Sequence, residues 1–412
     1  MNLSWQTNLD RAIDGRAKQV VAVRRHIHAH PEASGEEYRT SRYLCQLFGE
    51  HGLNPQLGPD GRGLIVDSCE TDCGRIALRA DIDALSINDA KDVVYRSRHD
   101  GLMHACGHDV HAAILFGAIL ALVDLKNAEQ LPWPTHVRGL FQPAEETATG
   151  AAEMVAAGAL KEVQAIIALH VDPTMAVGTV GLRSGVATAH CDELDIVLTG
   201  RGGHAARPHD TADPIVAASQ LINSMYLTIP RVTDSRDAVV VSFGRIEGGR
   251  NSNVIPEQVH LQGTLRTLDT EVRKCSKNKI YQICEGIAAS SGVSIDAKIV
   301  HEIDSICNDA ATVELLRRVS GELLGSGQVA QIPRPSMGSE DFSVYLKHVP
   351  GAMLRLGTRS PGKEQTPLHT VCFDVDEEAI AVGTKILARS VVEWSKPRIV
   401  SGQSPKIAGL AK

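Results

Sequence analysis

The sequence predicts an α/β protein whose chain changes character partway and then changes back. Short apolar strands at 76–78, 136–142 and 165–169 alternate with helical segments at 116–125 and 149–160, the pattern of a layered α/β sheet. From about residue 191 the order becomes strand, helix, strand, strand, helix, strand. That is the ferredoxin-like arrangement, a four-stranded sheet covered on one face by two helices. A helix over 308–325, a strand over 352–357 and a helix over 376–396 then return to α/β character. The expected organisation is an α/β domain in two parts, 1–185 and 302–396, interrupted by an inserted α+β domain over 186–301. A tail over 397–412, rich in Gly, Ser, Pro and Lys, follows and is expected to be mobile.

Composition bounds the function. With 412 residues, 43% hydrophobic and 22% charged, the chain has the make-up of a soluble globular protein of about two domains. A formal net charge of −7 argues against nucleic acid or an anionic membrane as the main partner. The first ten residues lack a charged stretch followed by an apolar one, so no signal peptide is read. The longest apolar run, residues 112–123, is broken by Gly117, is too short to span a bilayer and reads as a buried helix. Nine scattered cysteines without a Cys-x-x-Cys pair suit a reducing cytoplasm better than a disulfide scaffold.

Within the helical region 5–52, three histidines stand at alternate positions before Pro31. Such spacing splays side chains apart on a helix, so His28 or Glu36 is expected at a cleft edge rather than in one metal site.

The densest chemistry lies in Met103-His104-Ala105-Cys106-Gly107-His108-Asp109. On an irregular loop, Cys106 and His108 can reach the same transition metal or adjacent ones. A buried cysteine beside a helix-capping Asp109 is the alternative. Further stretches favour a site, because apolar strands repeatedly deliver ligand-type side chains at their carboxyl ends, where open α/β sheets bind ligands. They bring Asp81 and Asp83 after strand 76–78, Glu145 and Glu146 after strand 136–142, His170 after strand 165–169, and His369 on a later loop.

In this order the pieces resemble the M20 metallopeptidase family. The likeness is to its branch of N-acyl-amino-acid amidohydrolases, which includes hippurate hydrolase and the plant auxin-conjugate hydrolases. The matching text is Arg-Ala-Asp-Ile-Asp-Ala-Leu (79–85), Met-His-Ala-Cys-Gly-His-Asp (103–109), Phe-Gln-Pro-Ala-Glu-Glu (141–146) and Leu-His-Val-Asp-Pro (169–173). It continues with Gly-Gly-His-Ala-Ala-Arg-Pro-His (202–209), Asn-Val-Ile-Pro (253–256), Gly-Thr-Leu-Arg-Thr (263–267), Gly-Ser-Glu-Asp-Phe (338–342) and Leu-His-Thr (368–370). Together these motifs cover about residues 12–395.

The resemblance implies a two-domain metallohydrolase whose inserted domain serves as lid and dimerisation unit. It implies two divalent metals held by Cys106, His108, Glu146, His170 and His369, with Glu145 as general base toward a metal-bound water that attacks an amide carbonyl. Asp83 is expected to orient a ligand histidine. His204 is expected to help hold the oxyanion or substrate, while Asn253 and Arg266 resemble the groups that hold the substrate's free α-carboxylate. No ligand role is assigned to His104, His111, His209 or Glu340.

The thiolate favours zinc over manganese, yet Glu146 and the histidines tolerate Mn, Co or Ni. The implied reaction is hydrolysis of an N-acyl-amino acid to a carboxylic acid and a free amino acid, by a homodimer associating through the inserted domain. A dipeptidase or carboxypeptidase on the same scaffold is the alternative. A closed structural zinc site fits less well, because such sites favour sets of two to four cysteines.

Overall fold

The computed structural model describes residues 4–68 and 74–397. Cys69, Cys73 and residues 398–412 of the expected tail lie outside the described residues.

The first element is α1 (Trp5–Ala29), capped by the Ser4 hydroxyl accepting from the Thr7 N–H. Its buried residues Leu9, Ile13, Val20, Val23 and Ile27 recur at helical spacing and face the core. The helical region breaks at 30–37 and resumes as α2 (Tyr38–Glu50). Next come β1 (Gln56–Leu57), β2 (Leu64–Asp67), β3 (Arg75–Asp81), α3 (His108–Asn127), β4 (Val137–Gln142), α4 (Gly150–Ala156), β5 (Val163–Ala176) and β6 (Val180–Leu182).

After the short β7 (Gly185–Val186), the chain builds β8 (His190–Thr199), β9 (Gly203–His204), α5 (Pro214–Val232), β10 (Val239–Gly248) and β11 (Val254–Ile255). It continues through β12 (Gln258–Thr267), α6 (Thr270–Ser291) and β13 (Ser294–Ile303). It returns through β14 (Cys307–Asn308) to α7 (Ala310–Leu324), β15 (Val329–Gln331), α8 (Ser343–Leu346), β16 (Gly351–Arg359) and α9 (Glu378–Trp394).

Two sheets result. The larger has eight strands in the order β1-β2-β4-β3-β5-β16-β6-β15, with the central β4, β3, β5 and β16 parallel. Parallel strands need both faces covered, and β3 and β4 are buried at every residue. The smaller sheet, order β10-β12-β8-β13, is antiparallel throughout, and α5 and α6 close its core of Leu194, Ile196, Leu198, Leu221, Met225 and Leu261. The two chain crossings between the sheets pair with each other as β7 and β14. This is the expected α/β fold with a ferredoxin-like second sheet.

The buried helix read from the apolar run 112–123 is α3, and it belongs to the core. It is long and apolar enough to cross a membrane by composition alone, yet 94% of its apolar window is buried inside the fold. Gly117 permits this packing, because a Cβ there would lie 2.9 Å from Val20 Cγ2 and 3.2 Å from Thr384 Cγ2.

Two expectations need correction. His28 is not at a cleft edge. It is fully buried, with Nδ1 2.9 Å from Asp109 and Nε2 3.2 Å from Asp89, in an ionic cluster that also holds Arg24 and Lys91. Asp109 likewise pairs with Arg24 and His28, and the cap of α3 is Gly107. Secondly, His170 does not end its strand, since β5 runs on to Ala176. Pairing with β3 stops at Ala168, so β5 extends alone past that neighbour. The freed N–H of Val171 donates to His111 Nε2 at 3.0 Å.

Candidate metal centre

The site forms where α3 meets the carboxyl ends of β3 and β4 and the free edge of β5. Gly107 adopts φ +85°, and a Cβ there would lie 2.5 Å from Val171 Cγ2. A glycine is therefore required for the chain to turn from Cys106 into α3 against β5. After β4, Ala144 (φ 52°) and Ala148 (φ 55°) take left-handed backbone conformations around Glu145 and Glu146. Gly150 completes this turn, because a Cβ would fall 1.6 Å from the Pro143 carbonyl oxygen.

Four of the ligand-type groups converge on one thiol. Cys106 Sγ lies 3.5 Å from His170 Nε2 and 3.3 Å from His369 Nε2, and His369 Nε2 lies 3.5 Å from Glu146 Oε1. His108 Nε2 lies 3.9 Å from both Glu145 Oε2 and Glu146 Oε1. Donor atoms around one tetrahedral cation with bonds of about 2.1 Å stand about 3.4 Å apart, so these separations fit metal ligation without rearrangement. Two of the donor groups share the thiol, Cys106-His108-His170 and Cys106-Glu146-His369, and a third, His108-Glu145-Glu146, overlaps both, so these side chains would hold the divalent cations.

Hydrogen bonding separates ligands from bystanders. His108 directs Nδ1 at the Asp83 carboxylate, 2.9 Å away, which leaves Nε2 facing the cluster. That Nε2 and Glu146 Oε1 are buried without a hydrogen-bond partner, as atoms awaiting a cation would be. His170 directs Nδ1 at the Val171 carbonyl, leaving Nε2 toward Cys106. His111 is the counter-example: Nδ1 meets Asp81 at 2.6 Å and Nε2 accepts from Val171, so neither nitrogen is available. The two oxygens of Asp81 are likewise engaged, by His111 and Arg79. His104 is buried without polar partners, and His209 is exposed.

The electrostatics favour a bound cation. Burial pushes the Cys106 thiol far up from its ordinary value, and burial also raises Glu146. Glu145 is raised well above the ordinary carboxylate range by burial and then by Glu340 and Asp341. Those two acids are partners of Arg79, a fully buried guanidinium that also donates to Asp81 and to Gln142. Divalent cations reverse this logic by favouring the ionised thiol and carboxylates.

The proposed second group of residues is placed differently. His204 and Asn253 are exposed and adjacent on the β9–β11 ladder, where the Ala205 N–H donates to the Asn253 carbonyl, and neither lines the ligand cavity. Arg266, on β12, reaches the other domain and donates from Nη1 to the Met337 carbonyl at 2.9 Å, beside the wall of that cavity. The cavity, of about 250 Å³, is lined by Cys106, Glu145, Glu146, His170 and His369, and also by Arg355. Sequence reasoning left Arg79, Glu340, Asp341 and Arg355 without roles. The clue for both Arg79 and Arg355 was a charge in an otherwise apolar strand.

A two-domain α/β fold that gathers a thiol, three imidazoles and two adjacent carboxylates at one cavity defines a metal-dependent hydrolase. The chain belongs to Peptidase family M20/M25/M40, whose profile matches residues 77–393. It is 37% identical over 392 residues to an N-acetyl-L-cysteine deacetylase of Bacillus subtilis, covering 95% of this chain and 91% of that one. It is 33% identical over 383 residues to thermostable carboxypeptidase 2 of Saccharolobus solfataricus, covering 91% and 95%. Among solved structures it resembles a Bacillus subtilis dinuclear metal-binding peptidase of the M20 family, with TM-score 0.78, 32% identity, and coverage of 92% and 98%.

Because Asp83 also accepts from Ser34 Oγ and from the Glu146 N–H, it holds two candidate ligands, His108 and Glu146, at once. Asp83→Asn is expected to weaken metal binding about 10- to 100-fold, measured by chelator competition, with little change in circular dichroism.

Glu37 sets a pH dependence. Its Oε1 accepts the N–H groups of Gly35 and Ala144 while Oε2 is buried without a partner, and burial raises it from 4.5 to about 7. The folded state therefore holds a proton that the unfolded chain releases near 4.5. This stabilisation is full below that pH and is lost as pH rises toward 7, by up to about 1.4 kcal/mol per unit. Glu37→Gln is expected to melt higher than the parent protein at pH 8 and no higher at pH 4, in thermal unfolding series.

Proposed function

We propose that the protein hydrolyses the amide bond of N-acyl-amino acids, releasing a carboxylic acid and a free amino acid. The observation that carries this reading is a set of metal-ligating donors with a second buried carboxylate beside it: Glu145 lies 3.9 Å from His108 Nε2 and outside the two donor groups that contain Cys106. Two divalent cations bound there supply Lewis acidity toward the carbonyl and acidify water.

Glu145 takes the proton of the attacking water and returns it to the leaving nitrogen. Its raised proton affinity suits the second step, because burial beside Glu340 and Asp341 favours the protonated acid. The metal proposed is zinc or manganese, with cobalt or nickel also accommodated by this donor set. The deacetylase relatives support the acyl reading, and a carboxypeptidase relative keeps a peptidase reading on the same scaffold as the alternative.

In this reading Arg266 and Asn253 hold the α-carboxylate and His204 the developing oxyanion. The exposed position of His204 and Asn253 then requires closure of the inserted domain or delivery from a second subunit. A homodimer through the inserted domain is supported by its outer strand β10, whose free edge carries exposed Val240 and Ile246, and by exposed Tyr226 and Leu227 on α5. The seven described cysteines form no disulfide with one another, a usage that suits the proposed cytoplasmic setting.

The test is release of free amino acid from benzoyl, acetyl and indoleacetyl amino acids by metal-loaded protein. Glu145→Gln is expected to lower kcat by at least about 1000-fold while retaining metal, and chelation is expected to abolish turnover. Turnover of dipeptides alone would establish the peptidase instead. In sedimentation, the parent protein is expected to run as a dimer and a Leu227→Lys, Ile246→Lys variant as a monomer.

A further inference from the structure

Arg355 stands on β16 directly across the parallel ladder from His170, one strand spacing of roughly 4.8 Å away. Both residues line the ligand cavity. Buried arginines elsewhere in this domain are neutralised by carboxylates: Arg24 by Asp109 and Asp374, Arg79 by Asp81, Glu340 and Asp341, and Arg138 by Asp67. Half-buried Arg355 has no such partner. Among the described residues no carboxylate lies within 4.0 Å of its guanidinium and no hydrogen bond engages it, although Glu145 and Glu146 line the same cavity.

A guanidinium cannot lose its proton to relieve this situation. Beside a centre that holds divalent cations, an unpaired positive charge is repelled unless an anion lies between. The planar fork with its five N–H donors fits a carboxylate bidentately. The α-carboxylate is already assigned to Arg266, which approaches the cavity from the inserted domain at Met337, on a different wall.

We infer that Arg355 receives a second carboxylate of the substrate, so that the preferred N-acyl-amino acids are dianions. This rests on the hydrolytic reading above and narrows its substrate class. The second carboxylate comes either from the acyl group, as in an N-succinyl-amino acid, or from the amino-acid side chain, as in an N-acyl-glutamate. The two sources share one chemistry at Arg355 and differ only in which side of the amide lies against β16.

Steady-state kinetics on the metal-loaded full chain distinguish them, with N-acetyl-L-alanine, N-succinyl-L-alanine and N-acetyl-L-glutamate as substrates. One dianion is expected to exceed the monoanion in kcat/KM, and its identity names the side. In Arg355→Met that preference is expected to fall about 10- to 100-fold, chiefly through KM, and Arg355→Lys is expected to recover part of it. Metal content and circular dichroism, measured on each variant, guard against misfolding.

A preference for dianions that is unchanged in Arg355→Met, the absence of any such preference, or equal losses on all three substrates would each overturn the inference. Turnover of the benzoyl and indoleacetyl amino acids above, without turnover of these three, would overturn only the dianion inference. If the parent protein turned over none of these and none of those aromatic acyl substrates, the hydrolytic reading itself would fail. Calorimetric binding of succinate against acetate would then decide the role of Arg355, which requires tighter succinate binding that Arg355→Met weakens.

Discussion

The carboxylate of Asp83 holds the centre together. One oxygen receives His108 Nδ1 and the other receives the Glu146 N–H and the Ser34 hydroxyl, so the end of β3, the start of α3, the turn after β4 and the loop after α1 meet at one group. Each of these contacts fixes something a metal needs. The first sets the tautomer and orientation of an imidazole, and the second anchors the turn that carries both Glu145 and Glu146. Because Asp83 is 1% exposed, water does not compete for those hydrogen bonds.

Beneath this layer lies a second, built on Arg79. Its guanidinium is fully buried and gathers Asp81, Gln142, Glu340 and Asp341 from β3, β4 and the loop before α8. Asp81 in turn orients His111, whose other nitrogen accepts the Val171 N–H that β3 leaves unpaired. The same network places Glu340 and Asp341 near Glu145, raising its affinity for a proton. Scaffold and chemistry are thus coupled, since the acids that satisfy a buried arginine also tune the proposed base. Arg355 departs from this economy, and its missing counter-charge is what distinguishes binding surface from scaffold.

The inserted domain is organised on a different principle. Its antiparallel sheet is covered on one face by α5 and α6, and along the edge strands β10 and β13 half-buried residues facing that core alternate with exposed residues on the other face, which is open for association. Arg266 reaches the larger domain at Met337, and Asp304, directly after β13, pairs with both Arg273 of α6 and Lys347 beside the β7–β14 crossing.

Much was legible in the sequence, because local patterns report local physics. Apolar runs of strand length, helical periodicity and the strand-helix-strand-strand-helix-strand order identified both sheets, and clustered thiol, imidazole and carboxylate groups have no purely structural reason to recur at strand ends. Other features depended on tertiary contacts. His28 entered an ionic cluster because Asp109 and Asp89, 81 and 61 residues away in sequence, came to face it. His170 fell within a strand rather than at its end because β16 supports β5 beyond the point where β3 stops. His111 was removed from the ligand set by two hydrogen bonds that no spacing encodes. Residue types and their order determined the fold class and the family. Which donors stayed free, and which charge was left without a partner, was decided only when distant segments packed together, since hydrogen bonding and desolvation depend on neighbours in space.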